Sequence, residues 1–117
     1  MRRYASIAIA VVLLAAFLTP VTAQSRPDAL QLYRQGRFED AVEVTLEEIE
    51  ETPRNMNSYT VLGWSLLALG RYQDALDYGM RALEIARYDG RIVQIVGEAN
   101  FRLGNNLEAL DYLEEYV

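Results

Sequence analysis

The 117-residue chain contains no cysteine and no histidine. Without these side chains there is no thiolate nucleophile, no Ser-His-Asp triad, no imidazole general base and no thiolate or imidazole zinc site. Several reaction classes are thereby excluded, although carboxylate-only mechanisms remain open, and we expect a protein that is not an enzyme and that needs no metal or cofactor. Because disulfides are absent too, packing alone must stabilise the fold.

Lysine is also absent, and the 11 basic residues, all arginines, are outnumbered by 17 acidic residues, which leaves a net charge of −6. A mature form without Arg2 and Arg3 would be more acidic still. This charge repels phosphate backbones and no basic run opposes it, so we expect no nucleic acid partner. A hydrophobic content of 51%, with three prolines and seven glycines, indicates one folded domain.

Residues 1–23 have the three parts of a secretory signal peptide. Arg2 and Arg3 are followed by an apolar run of 14 residues, 5–18, and by the small-residue site Val21-Thr22-Ala23. A bilayer-spanning helix needs about 20 apolar residues, so cleavage before Gln24 is expected and an uncleaved anchor is the alternative. Since the mature part has no Asn-x-Ser/Thr sequon, we expect a bacterial periplasm or cell envelope, with secretion as a further possibility.

An exact internal repeat follows the leader. Gly36, Gly70 and Gly104 are 34 residues apart, and the register extends to Ala41, Ala75 and Ala109. Apolar residues recur at helical spacing on both sides of each glycine, which predicts two helices per unit with the glycine in the turn between them. Glycine ends the first helix by adopting a left-handed conformation, and the small alanine lets the two helices approach closely.

This pattern resembles the tetratricopeptide repeat. Unit two matches it at Tyr59, Leu62-Gly63, Leu66, Gly70, Tyr72, Ala75, Ala82 and Leu83. The resemblance implies an all-α, right-handed superhelix of about three stacked helix-turn-helix units in a domain of residues 24–117, with units at 24–55, 56–89 and 90–117, the last incomplete. Asn106 and Arg87 depart from the pattern and weaken individual turns. A plain helical bundle is the alternative, but it would not need an exact period.

Similar proteins bind peptides in a groove lined mainly by the first helix of each unit. The positions carried over onto this groove are Tyr33, Arg34, Asn57, Thr60, Trp64, Leu67, Arg91, Gln94, Glu98, Phe101 and Arg102. This set is rich in aromatic residues and arginine, which often dominate binding energy, although an aromatic at helical spacing also suits a core. The carboxylate-clamp branch of the family grips chaperone C-termini with lysine, arginine and asparagine at fixed groove places. Thr60, Trp64, Gln94 and Glu98 do not supply this set, so we do not expect binding of chaperone tails.

An acidic stripe is predicted on the second helix of unit one. Its members are Glu43, Glu47, Glu48, Glu50 and Glu51. Side chains strung along a helix diverge instead of converging on one ion, so we interpret the stripe as a solvated outer face; calcium or a basic partner is the alternative.

The sequence thus predicts an exported protein-binding or assembly module with a protein or peptide partner and no stable membrane span after cleavage. The alternatives are a self-associating structural protein, the repeat region of a longer envelope protein, and an accessory region of an enzyme. A repeat array normally ends with a helix that covers the apolar surface of its last unit, and such a surface is expected here at Leu110, Tyr112, Leu113 and Tyr116. We therefore expect the natural protein to continue past Val117 or to form a homo-oligomer through this end.

Overall fold

The computed structural model describes residues 26–105 and 114–115. Residues 26–105 contain five α-helices and no strand: α1 Ala29–Arg34, α2 Phe38–Glu51, α3 Met56–Ala68, α4 Tyr72–Ile85 and α5 Gly90–Arg102. α1 pairs with α2 and α3 pairs with α4, and α5 packs on the second pair as the first helix of a third unit. The predicted signal peptide and the apolar residues predicted near the C-terminus lie outside the described residues.

Three helices begin at a residue whose side chain caps the first turn. Asp28 precedes α1, Asn55 precedes α3 and Asp89 precedes α5, and each accepts a hydrogen bond from a backbone N–H of the following turn, at 3.1, 3.3 and 3.0 Å respectively. Such a cap stabilises a helix by about 1 kcal/mol. Asn55 and Asp89 are 34 residues apart, so the caps follow the repeat.

The turn glycines have the predicted left-handed conformation. Gly36, Gly70 and Gly104 have φ angles of 76°, 74° and 83°. At Gly70 the glycine N–H donates to the carbonyl of Leu67 at 3.0 Å, and the N–H of Arg71 donates to the carbonyl of Leu66 at 2.9 Å. This pair of bonds satisfies carbonyls that the end of α3 would otherwise leave without partners.

The core centres on α3, which packs against the other four helices. Leu62 and Leu66 are completely buried, and burial of a leucine side chain contributes about 1.5–3 kcal/mol. The polar residues of α3 are accommodated without breaking this core, because the Thr60 hydroxyl donates to the carbonyl of Met56 at 2.8 Å and the Ser65 hydroxyl to that of Val61 at 2.7 Å. α3 is therefore an interior helix that keeps one partly exposed side chain, Trp64, near its centre.

Small residues set the spacing between helices. Ala41 and Ala75 are fully buried where each pair closes, as the repeat pattern predicted. Gly63 and Gly79 perform the same task between units, since a Cβ at Gly63 would lie 2.7 Å from Ile95 Cδ1 and a Cβ at Gly79 would lie 2.6 Å from Val96 Cγ2. α5 thus sits closer to α3 and α4 than any side chain at these positions would allow.

No helix in the described ranges is both long enough and apolar enough to cross a bilayer.

Candidate binding groove

Two adjacent cavities lie along the surface formed by the first helices of the units, and Trp64 lines both. The amide cavity has a volume of about 480 Å³ and is lined by Asp28, Ala29, Leu30, Glu48, Asn55, Asn57, Ser58, Thr60, Val61, Trp64 and Arg91. The aromatic cavity has a volume of about 310 Å³ and is lined by Tyr33, Trp64, Leu67, Ala68, Glu98 and Arg102. The indole of Trp64 is therefore the wall common to both cavities.

The amide cavity exists because α1 is short. α1 begins at Ala29, which is equivalent by the 34-residue period to Gly63 in the middle of α3. Residues 26–28, which precede α1, are not helical. α1 therefore lies beside only the second half of α3. The cavity lies beside the first half of α3, at Asn57, Ser58 and Val61.

Trp64 is held by a second aromatic residue. The ring centroids of Tyr33 and Trp64 are 5.7 Å apart, and those of Tyr33 and Phe38 are 5.5 Å apart. Tilted pairs at such distances add about 0.5–1.5 kcal/mol beyond the area that they bury. The Trp64 indole is thus packed against Tyr33, which is itself packed against Phe38.

The guanidinium of Arg91, which lines the amide cavity, is hydrogen-bonded to neighbouring side chains. Its Nη1 donates to Asn57 Oδ1 at 2.9 Å, and its Nε and Nη2 donate to the Asp89 carboxylate at 3.3 and 3.1 Å. Burial alone would raise the pKa of Asp89, but the hydrogen bonds and charge of Arg91 outweigh it and lower that pKa. Because Asn57 and Arg91 are equivalent positions of successive units, this contact links unit two to unit three.

The structure divides the sequence-predicted groove residues into two sets. Those that line a cavity are Tyr33, Asn57, Thr60, Trp64, Leu67, Arg91, Glu98 and Arg102. Arg34, Gln94 and Phe101 are exposed but line neither cavity, and Phe101 is 63% exposed. Thr60 lines the amide cavity but is only 1% exposed. Its hydroxyl hydrogen is already donated within α3, so Thr60 contributes shape to the cavity and not a hydrogen-bond donor.

A family model described as tetratricopeptide repeat matches residues 28–90, more than half of the chain. The chain belongs to the tetratricopeptide repeat family. No curated protein sequence matches it.

Solved structures of MamA share the fold. A structure titled MamA AMB-1 superposes with a TM-score of 0.70 and 25% identity, over 75% of this chain and 52% of that one. MamA MSR-1 gives the same TM-score and identity over 75% of this chain and 51% of that one. A further MamA crystal structure, at 19% identity and a TM-score of 0.71, covers 80% of this chain and 54% of that one and supports the fold alone.

The chain spans about half the length of the MamA structures that it matches. The predicted all-α tetratricopeptide architecture is confirmed, and this family supports a role in protein interaction or scaffolding.

The sequence did not predict part of the lining of the candidate groove. Asp28, Leu30, Asn55 and Ser58 line the amide cavity but were not predicted, because the helix boundaries that place them could not be assigned from the family pattern. Glu48 was predicted, but on the solvated stripe. It lies four residues after Val44 and three after Thr45, both buried, and this helical spacing was a signal that Glu48 borders the interior.

The rest of the acidic stripe is solvated, as predicted. Glu43, Glu47, Glu50 and Glu51 are exposed. Arg26 lies over one end of the stripe, with its Nε 3.5 Å from Glu47 Oε2 and its Nη2 hydrogen-bonded to Glu51 Oε1. That hydrogen bond, reinforced by the arginine charge, lowers the pKa of Glu51. No group of acidic side chains in residues 26–105 or 114–115 is arranged to hold a metal ion.

Proposed function

We propose that this chain is a non-catalytic binding module that receives an extended or helical segment of a partner protein across α1, α3 and α5. The observation that carries the proposal is the position of Trp64, which is partly exposed between two cavities on the surface formed by the first helix of each unit. Tryptophan is among the residues that most often contribute a large share of binding energy.

The two cavities suit two side chains that one bound segment presents on the same face, such as residues i and i+2 of an extended segment. The aromatic cavity combines Tyr33, Trp64 and Leu67 with a charged rim, where Arg102 Nη2 lies 3.9 Å from Glu98 Oε1. An apolar side chain buried there loses contact with water while the polar rim stays hydrated. The second side chain of the pair then reaches the amide cavity on the other side of the indole.

We further propose that the module is exported and acts in the cell envelope, with a bacterial periplasm as the favoured compartment. The support for this comes from residues 1–23, whose charged start, short apolar run and small-residue end have the order of a signal peptide.

The groove is tested by replacing Trp64 and Arg102 together with alanine. The double variant should lose most of its partner binding while its helix content, measured by circular dichroism, stays at the wild-type level. Gln73→Ala, on the exposed face of α4, is the matched surface control. A photo-cross-linking residue at Leu67 should label the partner, whereas the same residue at Gln73 should not. Equal binding by the double variant would place the partner on another surface.

A further inference from the structure

The amide cavity carries an excess of negative charge. Asp28 and Glu48 line it, and Arg91 is the one cation among its lining residues. The Arg91 guanidinium is already paired with Asp89 and bonded to Asn57. Since a paired guanidinium exerts little net attraction on a second anion, the two carboxylates leave the lining of the cavity with an excess of negative charge.

The Glu48 carboxylate has unused capacity to accept hydrogen bonds. Within the described part of the chain, no donor hydrogen-bonds to it and no cationic atom lies within 4 Å of it. Arg26 acts on Glu48 only through its charge, because its guanidinium contacts Glu47 and Glu51 instead. An ionised carboxylate offers about four acceptor positions on its two oxygens, so Glu48 presents a charged acceptor to the cavity.

Asp28 adds a second acceptor. Its Oδ1 accepts the capping hydrogen bond from the N–H of Leu30, and its Oδ2 makes no hydrogen bond among the described residues. Trp64 also lines the cavity, and an aromatic face attracts a cation with an energy of about 0.5–2 kcal/mol. Two carboxylates and an aromatic wall on one cavity form a surface complementary to a positive side chain.

We propose that the amide cavity binds an arginine or lysine side chain of the partner segment, with Glu48 and Asp28 as its counter-charges. This inference rests on the proposed function and specifies its ligand: a basic residue on the same face of the segment as the apolar residue that enters the aromatic cavity. The net charge of the chain, −6, favours association with such a basic segment.

An acidic or phosphorylated segment fits the same cavity less well. Its anion would meet Glu48 and Asp28, and the Arg91 guanidinium is occupied by Asp89. Like charges placed in one cavity repel, and no free cation among the lining residues compensates for that repulsion.

The test uses Trp64 as its reporter, because it is the single tryptophan of the chain. Three capped seven-residue peptides are titrated into the full chain, each with leucine two positions from an arginine, glutamine or glutamate and otherwise identical. We expect the arginine peptide to shift the indole emission and to bind about tenfold more tightly than the glutamine peptide, which corresponds to about 1.4 kcal/mol. The glutamate peptide should bind more weakly than both.

Charge-neutralising variants then locate the contact. Glu48→Gln and Asp28→Asn keep shape, and asparagine retains the helix cap. Each variant should weaken binding of the arginine peptide by about three- to tenfold and leave binding of the glutamine peptide unchanged. Glu50→Gln is the matched control, because Glu50 belongs to the same helix as Glu48, is exposed and lines neither the amide nor the aromatic cavity. Raising the salt concentration should weaken binding of the arginine peptide most.

The outcomes separate this inference from the proposed function. Equal binding of the three peptides, or an arginine peptide insensitive to both variants, overturns the cationic site while leaving the groove in place. Failure of the arginine peptide to bind, together with partner cross-linking at Leu67, overturns the inference alone. Failure of the peptides and of the Leu67 cross-link overturns both.

Discussion

Replacing Gly79 with alanine tests whether α4 and α5 are as close as the structure shows. Gly79 is buried on α4, and an added Cβ would lie 2.6 Å from Val96 Cγ2. Two carbon atoms pack best at about 3.5–4.0 Å, so the new methyl group would be about 1 Å too close. Val96 is 0% exposed, and a valine in a helix strongly prefers one χ1 rotamer, so its side chain cannot turn away cheaply.

Two opposing effects set the size of the change. Alanine is favoured over glycine inside a helix by about 1 kcal/mol. Overpacking a well-packed core costs about 1–3 kcal/mol. We therefore expect a net destabilisation of about 1 kcal/mol for Gly79→Ala, which lowers the melting temperature of a domain of this size by about 4–8 °C.

The assay is thermal and urea unfolding of four proteins: the wild type, Gly79→Ala, Val96→Ala and the double variant. Removing the valine methyl groups relieves the overlap, so Val96→Ala should cost less stability in the alanine background than in the wild type. The coupling energy between the two sites should be about 1 kcal/mol or more. A Gly79→Ala variant that is more stable than the wild type by about 1 kcal/mol, the full gain in helix propensity, and that shows no coupling to Val96 would refute the close approach of α4 and α5.

Three further predictions concern the turns, the caps and the leader. Gly70→Val should destabilise the domain by about 1–3 kcal/mol, because a β-branched residue resists a φ of 74°; a wild-type melting temperature would contradict this turn. Asp89→Asn keeps the cap but loses the charge paired with Arg91. The folded-state pKa of Asp89 is lowered, so the charge stabilises the fold above the unfolded-state pKa, about 3.9, and that contribution is lost as the pH falls through the folded-state pKa. The wild type should therefore be more stable than Asp89→Asn at neutral pH, and this difference should shrink below about pH 4; a constant difference from pH 7 to pH 3 would contradict the assignment. N-terminal sequencing of the exported protein should begin at Gln24, whereas an intact Met1 in the membrane fraction would favour the anchor.

The groove was predictable only in outline. Trp64 and Tyr33 were assigned to it from the family register, and both line cavities. The same register placed Phe101 on this surface, where it lines neither the amide nor the aromatic cavity. The register gives the position of a residue in its unit and not the shape of the surrounding surface. Arg91 was predicted as a groove arginine, and its pairing with Asp89 and Asn57 was not foreseen.

The sequence by itself determined the repeat and its turns. A left-handed glycine, a capping asparagine or aspartate and an apolar stripe at helical spacing act over a few neighbouring residues, so their pattern shows directly in the chain. The 34-residue spacing of Gly36, Gly70 and Gly104 therefore sufficed to predict the helix pairs.

The tertiary structure alone decided which polar groups are free to bind. Whether a charge is available depends on partners that lie far away in sequence, and their distances follow from how the helices pack. Asn57 accepts a hydrogen bond from Arg91, 34 residues away in sequence, so that guanidinium is already engaged. Glu48, in contrast, lines the amide cavity without a hydrogen-bond or ion-pair partner among the described residues. The spacing between units that produces both results depends on contacts such as that of Gly79 with Val96, where a single methyl group would be too large.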